Sequence, residues 1–308
     1  MYNLCCISNE LKTKGISFQT MTWKRYNELQ PEEALLELGK RWFNNVVATQ
    51  FTIDHCGRNG WGYRVSSSLF PLLTHPDFKR KLTDMAQHKA ITSVFESIHS
   101  SNKAADGSQK VRLSTHPDQF NVLASTNTES VAKTIKELNS QGLTMDLLGC
   151  ERSRQNPINI HINCAQGDLS EIAARFAHNL EKCDDSVTSR LVVENEDKGC
   201  WNVENLLNYL YHPYKIPITF DNLHDKCNPS KTCLNDFGEK VEHELCAGTW
   251  GDIKPIFHYS ESDQNNKNPR AHADMPIDMP FSECYDWDIE LKAKDKAIRM
   301  LSNLQVIV

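Results

Sequence analysis

Eight short runs rich in β-forming residues punctuate the chain, and helical patterns fill the gaps between them. The runs cover residues 4–8, 61–66, 111–115, 158–162, 190–194, 216–220, 255–260 and 285–291. Short strands that alternate with helices mark a parallel sheet, because a parallel neighbour is reached only through a long crossover. After the first run, Pro31, Glu32 and Glu33 open an apolar pattern at helical spacing that continues to Phe51, which predicts a helix there. Further helices are expected over 128–148, 168–182, 203–211 and 237–246, with a closing helix over 292–304. The polar stretch 260–274 reads as a long loop. Eight such units in 308 residues predict an α/β fold, a single (β/α)8 TIM barrel spanning 1–308 as one domain, since that barrel needs ~250 residues before insertions.

The bulk composition narrows the class. With 39% hydrophobic and 24% charged residues the chain can build a packed core, which argues against general disorder. No stretch approaches the ~20 apolar residues of a membrane span, and the opening MYNLCCISNELKTKG lacks the pattern of a secretory leader. The cysteine count is odd at 11 and no CxxC pair occurs, so a disulfide scaffold is not expected. These features predict a soluble monomer of the cytoplasm, or of the nucleus in a eukaryote, with no membrane contact and no obligate protein partner. The net charge of −6 excludes a general nucleic-acid coat. Any DNA contact then needs a one-sided patch, for which Lys79, Arg80, Lys81, Arg152, Arg154, Lys226 and Lys231 are candidates.

Chemistry-bearing side chains cluster at the ends of the β-runs. RLSTHP supplies His116, INIHIN His161, LVVENED Glu194, ITFDNLH Asp221 and His224, PIFHYS His258, and WDIELK Glu290, while the preceding loop brings His272 in RAHAD. In a TIM barrel the strand C-termini converge on one face, so residues far apart in the chain would meet in one pocket. Singly, each has a bland reading: His116 as a loop histidine, or Glu290 as a partner of Lys292 or Lys294. Together, five imidazoles and three carboxylates exceed what one ion uses. Nitrogen and oxygen donors without thiolate suit Zn²⁺ or Mn²⁺, with more than one ion expected, as in phosphoryl-transfer sites. His55, His88, His99, His178, His212 and His243 fit no strand-end register and are assigned no chemistry.

The segments YRVSSSLFPLLTH, RLSTHPDQF, NIHIN, LVVENED, ITFDNLH, HYSES, RAHAD and DWDIELKAKDKA occur in order. This ordered set resembles the successive motifs of the UV damage endonucleases, barrel nucleases related to endonuclease IV. The resemblance implies a DNA repair endonuclease that hydrolyses the phosphodiester bond immediately 5′ to cyclobutane pyrimidine dimers and 6-4 photoproducts, and at abasic sites as well. It implies three divalent ions, foremost Mn²⁺ with Zn²⁺ or Mg²⁺ as alternatives, held by His116, His161, Glu194, Asp221, His224, His258, His272 and Glu290. Glu194, Glu290 and His258 are expected to be catalytic, with His75 as a phosphate or proton-transfer group at the rim. Gln119 and Phe120 match a family Gln–Tyr pair that wedges into the duplex. Asn195 and Tyr259, each beside a ligand, complete the expected lesion contacts.

Two positions depart from the family pattern. Leu4 stands where a tyrosine is usual, and Ile256 replaces a lysine that can carry a carboxyl modification among the ligands. Lys254 would face the same side one pleat lower, so no modified lysine is expected at the metals. The alternatives are an endonuclease IV-like abasic-site nuclease, a xylose-isomerase-like sugar isomerase, and a barrel that only binds damaged DNA or a partner.

Overall fold

The computed structural model describes residues 1–279 and 284–305. Its strands are β1 (Tyr2–Cys5), β2 (Gly62–Val65), β3 (Leu113–Thr115), β4 (Ile158–Ile160), β5 (Leu191–Glu194), β6 (Ile218–Thr219), β7 (Ile256–Tyr259) and β8 (Asp286–Ile289). They form one parallel sheet in the order β6-β5-β4-β3-β2-β1-β8-β7. The two ends of that order meet at a parallel bridge between Asp221 and His258, where His258 N donates to Phe220 O over 2.8 Å. The result is a nearly closed TIM barrel with helices between its strands.

Local chemistry sets the helix boundaries. Helix Pro31–Asn59 has proline in its first turn and ends at Gly60, whose φ of 68° is left-handed and suits glycine. The Asn127 side chain caps Thr128–Leu147 by accepting from Glu129 N and Ser130 N, and Asp168 accepts from Ser170 N to cap Leu169–Leu180. The longer helices lay an apolar stripe on the outward face of the sheet, as Ile172, Ala173 and Phe176 do.

Inside the barrel the usual layers of branched aliphatic residues are confined to the floor, where Val192, Ile256 and Trp250 pack together. Above and beside them the lumen is ionic. Arg112 Nη1 reaches Asp286 across the barrel at 2.9 Å, and the N-terminal amine and Lys254 Nζ each lie 3.0 Å from the same carboxylate. One pleat higher, Asn3 Nδ2 donates to Asp288 Oδ1 over 2.8 Å. Arg64 then pairs with Glu290. Ile256 is therefore floor packing, and Lys254 is engaged with Asp286 below the site.

Three expected elements shift. The first strand is Tyr2–Cys5 rather than 4–8, because Cys6 turns to a φ of 61°. The helix expected over 237–246 is Glu242–Gly248. Residues before it form a turn closed by the Leu234–Lys240 bridge, in which the Asn235 side chain accepts from Phe237 N and Glu239 N and Gly238 takes a φ of 81°. The Asn and Gly of NDFG carried that signal. The stretch 203–211 is helical but divides into Val203–Leu206 and a π-turn, Leu207–Tyr211, just ahead of Pro213, which lacks a ladder N–H. Helix His88–Ser101, not anticipated, fills the crossover between β2 and β3.

One cluster ties the ends of the chain to the first long helix. Asp295 accepts from Ser8 Oγ at 2.6 Å and Asn9 N at 2.7 Å, and lies 3.0 Å from His55 Nε2. Burial alone would raise its pKa, but the bonds from His55 and Ser8 outweigh burial and bring it to about 2. A depressed carboxylate pKa contributes stability that is present above the unfolded value near pH 4 and fades as pH falls toward 2. Asp295→Ala should cost about 2–4 kcal/mol in urea unfolding at pH 7, and the difference from the native chain should narrow below pH 4.

Candidate metal centre

Seven of the eight expected ligands converge at the C-terminal mouth of the barrel. His116, His161 and Glu194 form one group, Glu194, Asp221 and His224 a second, and Asp221, His258 and Glu290 a third, each with ligand atoms within 4.8 Å of one another. Two donors of one tetrahedral ion bonded at about 2.1 Å lie roughly 3.4 Å apart, so each group is compact enough to share an ion after a small inward adjustment. Glu194 and Asp221 each belong to two groups, so either carboxylate could serve neighbouring ions.

Glu194 is the hub. It is buried at the end of β5, with His224 Nδ1 3.1 Å and His161 Nε2 3.8 Å from Oε1. His116 Nε2 and His258 Nδ1 approach Oε2 at 3.1 and 3.0 Å, and Asn159 Nδ2 donates to the same oxygen. Burial would raise the pKa of Glu194, but the surrounding imidazoles, His258 first, hold it well below the usual carboxylate range. Burial also resists charge on His224, yet Asp221, Glu194 and Glu290 outweigh it and push this histidine up to about 11. His258 rises to about 9 for the same reason, whereas at His161 burial wins and the value falls to about 4.

The donor set fits divalent cations. A carbonyl can only accept, so His116 Nδ1 bonded to Pro117 O, His224 Nδ1 to Asn195 O and His272 Nδ1 to Glu290 O must each carry the ring proton, all at 2.9 Å. With Nδ1–H so engaged, each ring in its neutral form has its lone pair on Nε2, the usual outer support of a ligating imidazole. The buried Asp221 Oδ2 has no hydrogen-bond partner, a cost that a bound cation would remove.

His272 stands apart from the three tight groups. Its loop is pinned by the Ser262–His272 bridge, and its Nδ1 lies 3.9 Å from Glu290 Oε2, on the rim. His75 touches none of the seven. It stacks on Trp23 with ring centroids 4.3 Å apart and lines a cleft of about 540 Å³ that also holds Asp118 and Phe120. His75 thus lies apart from the three ligand groups, at the cleft beside Phe120. Gln119 is exposed and Phe120 is 80% exposed.

Two expected lesion contacts need correction. Asn195 is buried and spends its side chain on Asp221, donating to its O at 3.0 Å and accepting from its N at 2.8 Å. Tyr259 is fully buried outside the lumen, its hydroxyl donating to Glu261 Oε1 at 2.8 Å. Strand alternation explains this, since the neighbour of an inward ligand such as His258 faces the helices. Both support the site rather than touch a substrate.

Sequence reading missed Arg64, which pairs with Glu290 from the neighbouring wall, and Asn159, which braces Glu194. Asn159 sits on the strand next to that of Glu194, and Arg64 lies two strands from Glu290, with β1 between; the inward parity of NIHIN and YRVSS was the available signal. Also missed was Asn163, in a left-handed conformation with φ 51°. Its N donates to Glu196 Oε1 at 2.7 Å and its side chain to Gln119 O at 2.8 Å, which anchors the Gln119–Phe120 loop.

The family model described as UV-endonuclease UvdE matches residues 2–307, and so takes in every strand that carries a ligand. The chain belongs to this family. The UV DNA damage endonuclease of Bacillus velezensis is 32% identical over 308 residues, covering 94% of this chain and 89% of that one. The UV DNA damage endonuclease of Nostoc sp. is 28% identical, covering 97% and 88%. Among solved structures, that of SacUVDE has a TM-score of 0.79 at 26% identity and covers 99% of this chain and 98% of its own. Endonuclease IV from Thermus thermophilus, at a TM-score of 0.55 and 14% identity with 84% and 94% covered, shares the fold.

His224 and His258 carry protons at pH 7 in the ion-free chain, and a ligating imidazole must be neutral. Mn²⁺ binding at pH 7 should therefore release protons, and apparent affinity should strengthen as pH rises toward 9 and weaken as it falls. Calorimetry in buffers of different ionisation enthalpy reads the proton count directly, and Glu194→Gln should lower Mn²⁺ affinity by tenfold or more, about 1.4 kcal/mol.

Proposed function

We propose that the chain is a divalent-metal-dependent DNA repair endonuclease that hydrolyses the phosphodiester bond 5′ to UV photoproducts, with abasic sites as further substrates. The observation that carries this reading is the nested set of three ligand groups sharing Glu194 and Asp221 at one barrel mouth. Family membership sets aside the sugar-isomerase alternative and supports DNA as the substrate.

Divalent ions held there would polarise the scissile phosphate, offset its developing negative charge and make water a competent nucleophile at neutral pH. The chain's own residues do the positioning. Glu194 and Asp221 span adjacent groups, and the imidazoles are locked in one tautomer by the carbonyls of Pro117, Asn195 and Glu290. Arg64 holds Glu290 from the side of the lumen, so that carboxylate stays ionised and fixed.

Lesion selection falls to the Gln119–Phe120 loop. An aromatic ring left 80% exposed on a hydrogen-bonded loop costs hydration free energy unless a partner covers it. Pushed into a duplex it exchanges that exposure for base contact, and unstacking costs least where damage has already weakened the helix. Phe120 has no hydroxyl, so the contact is by stacking alone. Leu4 is wholly buried and takes no part.

The deciding assay is nicking of a photodimer duplex with the cut position mapped. Cleavage immediately 5′ to the dimer, lost with chelator and restored by Mn²⁺, is the expected result. Glu194→Gln should abolish nicking while sparing DNA binding, and full residual activity in that variant would overturn the assignment. Phe120→Ala should raise KM for dimer-containing duplex by about tenfold, as expected for the loss of one stacking contact of ~1–3 kcal/mol.

A further inference from the structure

On the flank of the barrel lies a groove of about 650 Å³ that the metal centre does not use. One wall is the segment from Leu73 to Thr83, the other a side of helix Thr128–Leu147 presenting Lys136, Ser140, Leu143 and Leu147. Lys136 to Leu147 spans twelve residues, about 16 Å of helix, and so carries the groove down from the mouth along the outside. Its upper end adjoins the rim, where Lys136 Nζ donates to His75 O.

Two properties of the groove occur together. The floor is apolar, made by Leu73, Phe78, Leu82, Leu143 and Leu147, and Leu143 is 46% exposed. The rim is predominantly cationic, with Lys79, Arg80 and Lys81 on one wall and Lys136 on the other, against a single lining carboxylate, Asp184. Among the described residues none of these four forms an ion pair with a carboxylate of the chain. Lys136 is lowered from its ordinary value by partial burial and by repulsion from Lys79. A chain of net charge −6 thus concentrates positive charge without carboxylate partners around an uncovered apolar floor, which is the pattern of a recognition surface.

We propose that this groove docks an acidic amphipathic segment of a partner protein, with aliphatic or aromatic anchors on the floor and carboxylates against the Lys79–Arg80–Lys81 and Lys136 rims. Charge complementarity names the sign of the occupant, and the floor names its other half. A DNA backbone would satisfy the rim but leave the leucines uncovered, and a duplex lying across the barrel mouth would leave the lower groove behind. The length suits about three turns of helix, with anchors at i, i+3 or i+4, and i+7.

A randomised peptide-display library selected on the native protein provides the test, with Leu143→Glu and the double change Arg80→Glu, Lys81→Glu as counter-selections. Both changes are at exposed positions, so folding is retained. Selection should enrich peptides that combine Asp or Glu with Leu, Ile, Phe or Met at helical spacing. The leading peptide, made synthetically, should bind the native protein at micromolar Kd and lose at least about tenfold affinity to either variant, while Leu143→Glu nicks at the native rate. Enrichment without acidic residues, or enrichment equal on native and Leu143→Glu protein, overturns the proposal. So does displacement of the peptide by undamaged duplex together with a raised nicking KM in the Arg80→Glu, Lys81→Glu variant, which would assign the surface to DNA.

Discussion

A buried, ionised Glu194 ringed by four imidazoles is the constraint on which the rest of this structure turns. A carboxylate taken from water into a barrel lumen is costly unless opposite charge and hydrogen bonds surround it. Asn159 and the histidines at the ends of β3, β4, β6 and β7 supply that surround. Because those partners arise on different strands, the carboxylate can be accommodated only when the sheet has curled into register. The bridge that brings β6 to β7 joins Asp221 to His258, so closure of the barrel and assembly of the site are one event.

The same demand explains a lumen unlike the aliphatic interior usual for this fold. Asp286, Asp288 and Glu290 alternate along and just beyond β8, and each meets a cation or amide from another wall: Arg112, Asn3 and Arg64. These pairs need not add net stability, since a buried ion pair often does no better than a hydrophobic isostere. What they do is punish any slip of register, because shifting one strand by a residue would turn a charged side chain toward the helices and strand its partner. A site that must hold several ligands within a few ångströms gains from that intolerance.

Much of the centre could be read from the sequence because strand periodicity and strand ends are local properties. His116, His161, Glu194, Asp221, His224, His258 and Glu290 each follow a recognisable β-run, and the structure brings all seven together. Asn195 and Tyr259 were misplaced for an equally local reason: adjacency in sequence to a ligand is opposition in space on a strand. Arg64 and Asn163 escaped notice because their partners, Glu290 and the Gln119 carbonyl, are 226 and 44 residues distant. His75 carried a motif position but not its neighbours, and only the stack on Trp23 shows where its ring lies.

The sequence by itself determined the alternation of strand and helix and the identity of the donors, because each follows from residue type and short-range spacing. Tertiary structure alone decided which donors share an ion-sized space, which ring nitrogen is left with its lone pair, and which side chains brace rather than touch a substrate. Those are matters of sub-ångström to few-ångström distance between strands that meet only on barrel closure, and no spacing along one strand encodes them.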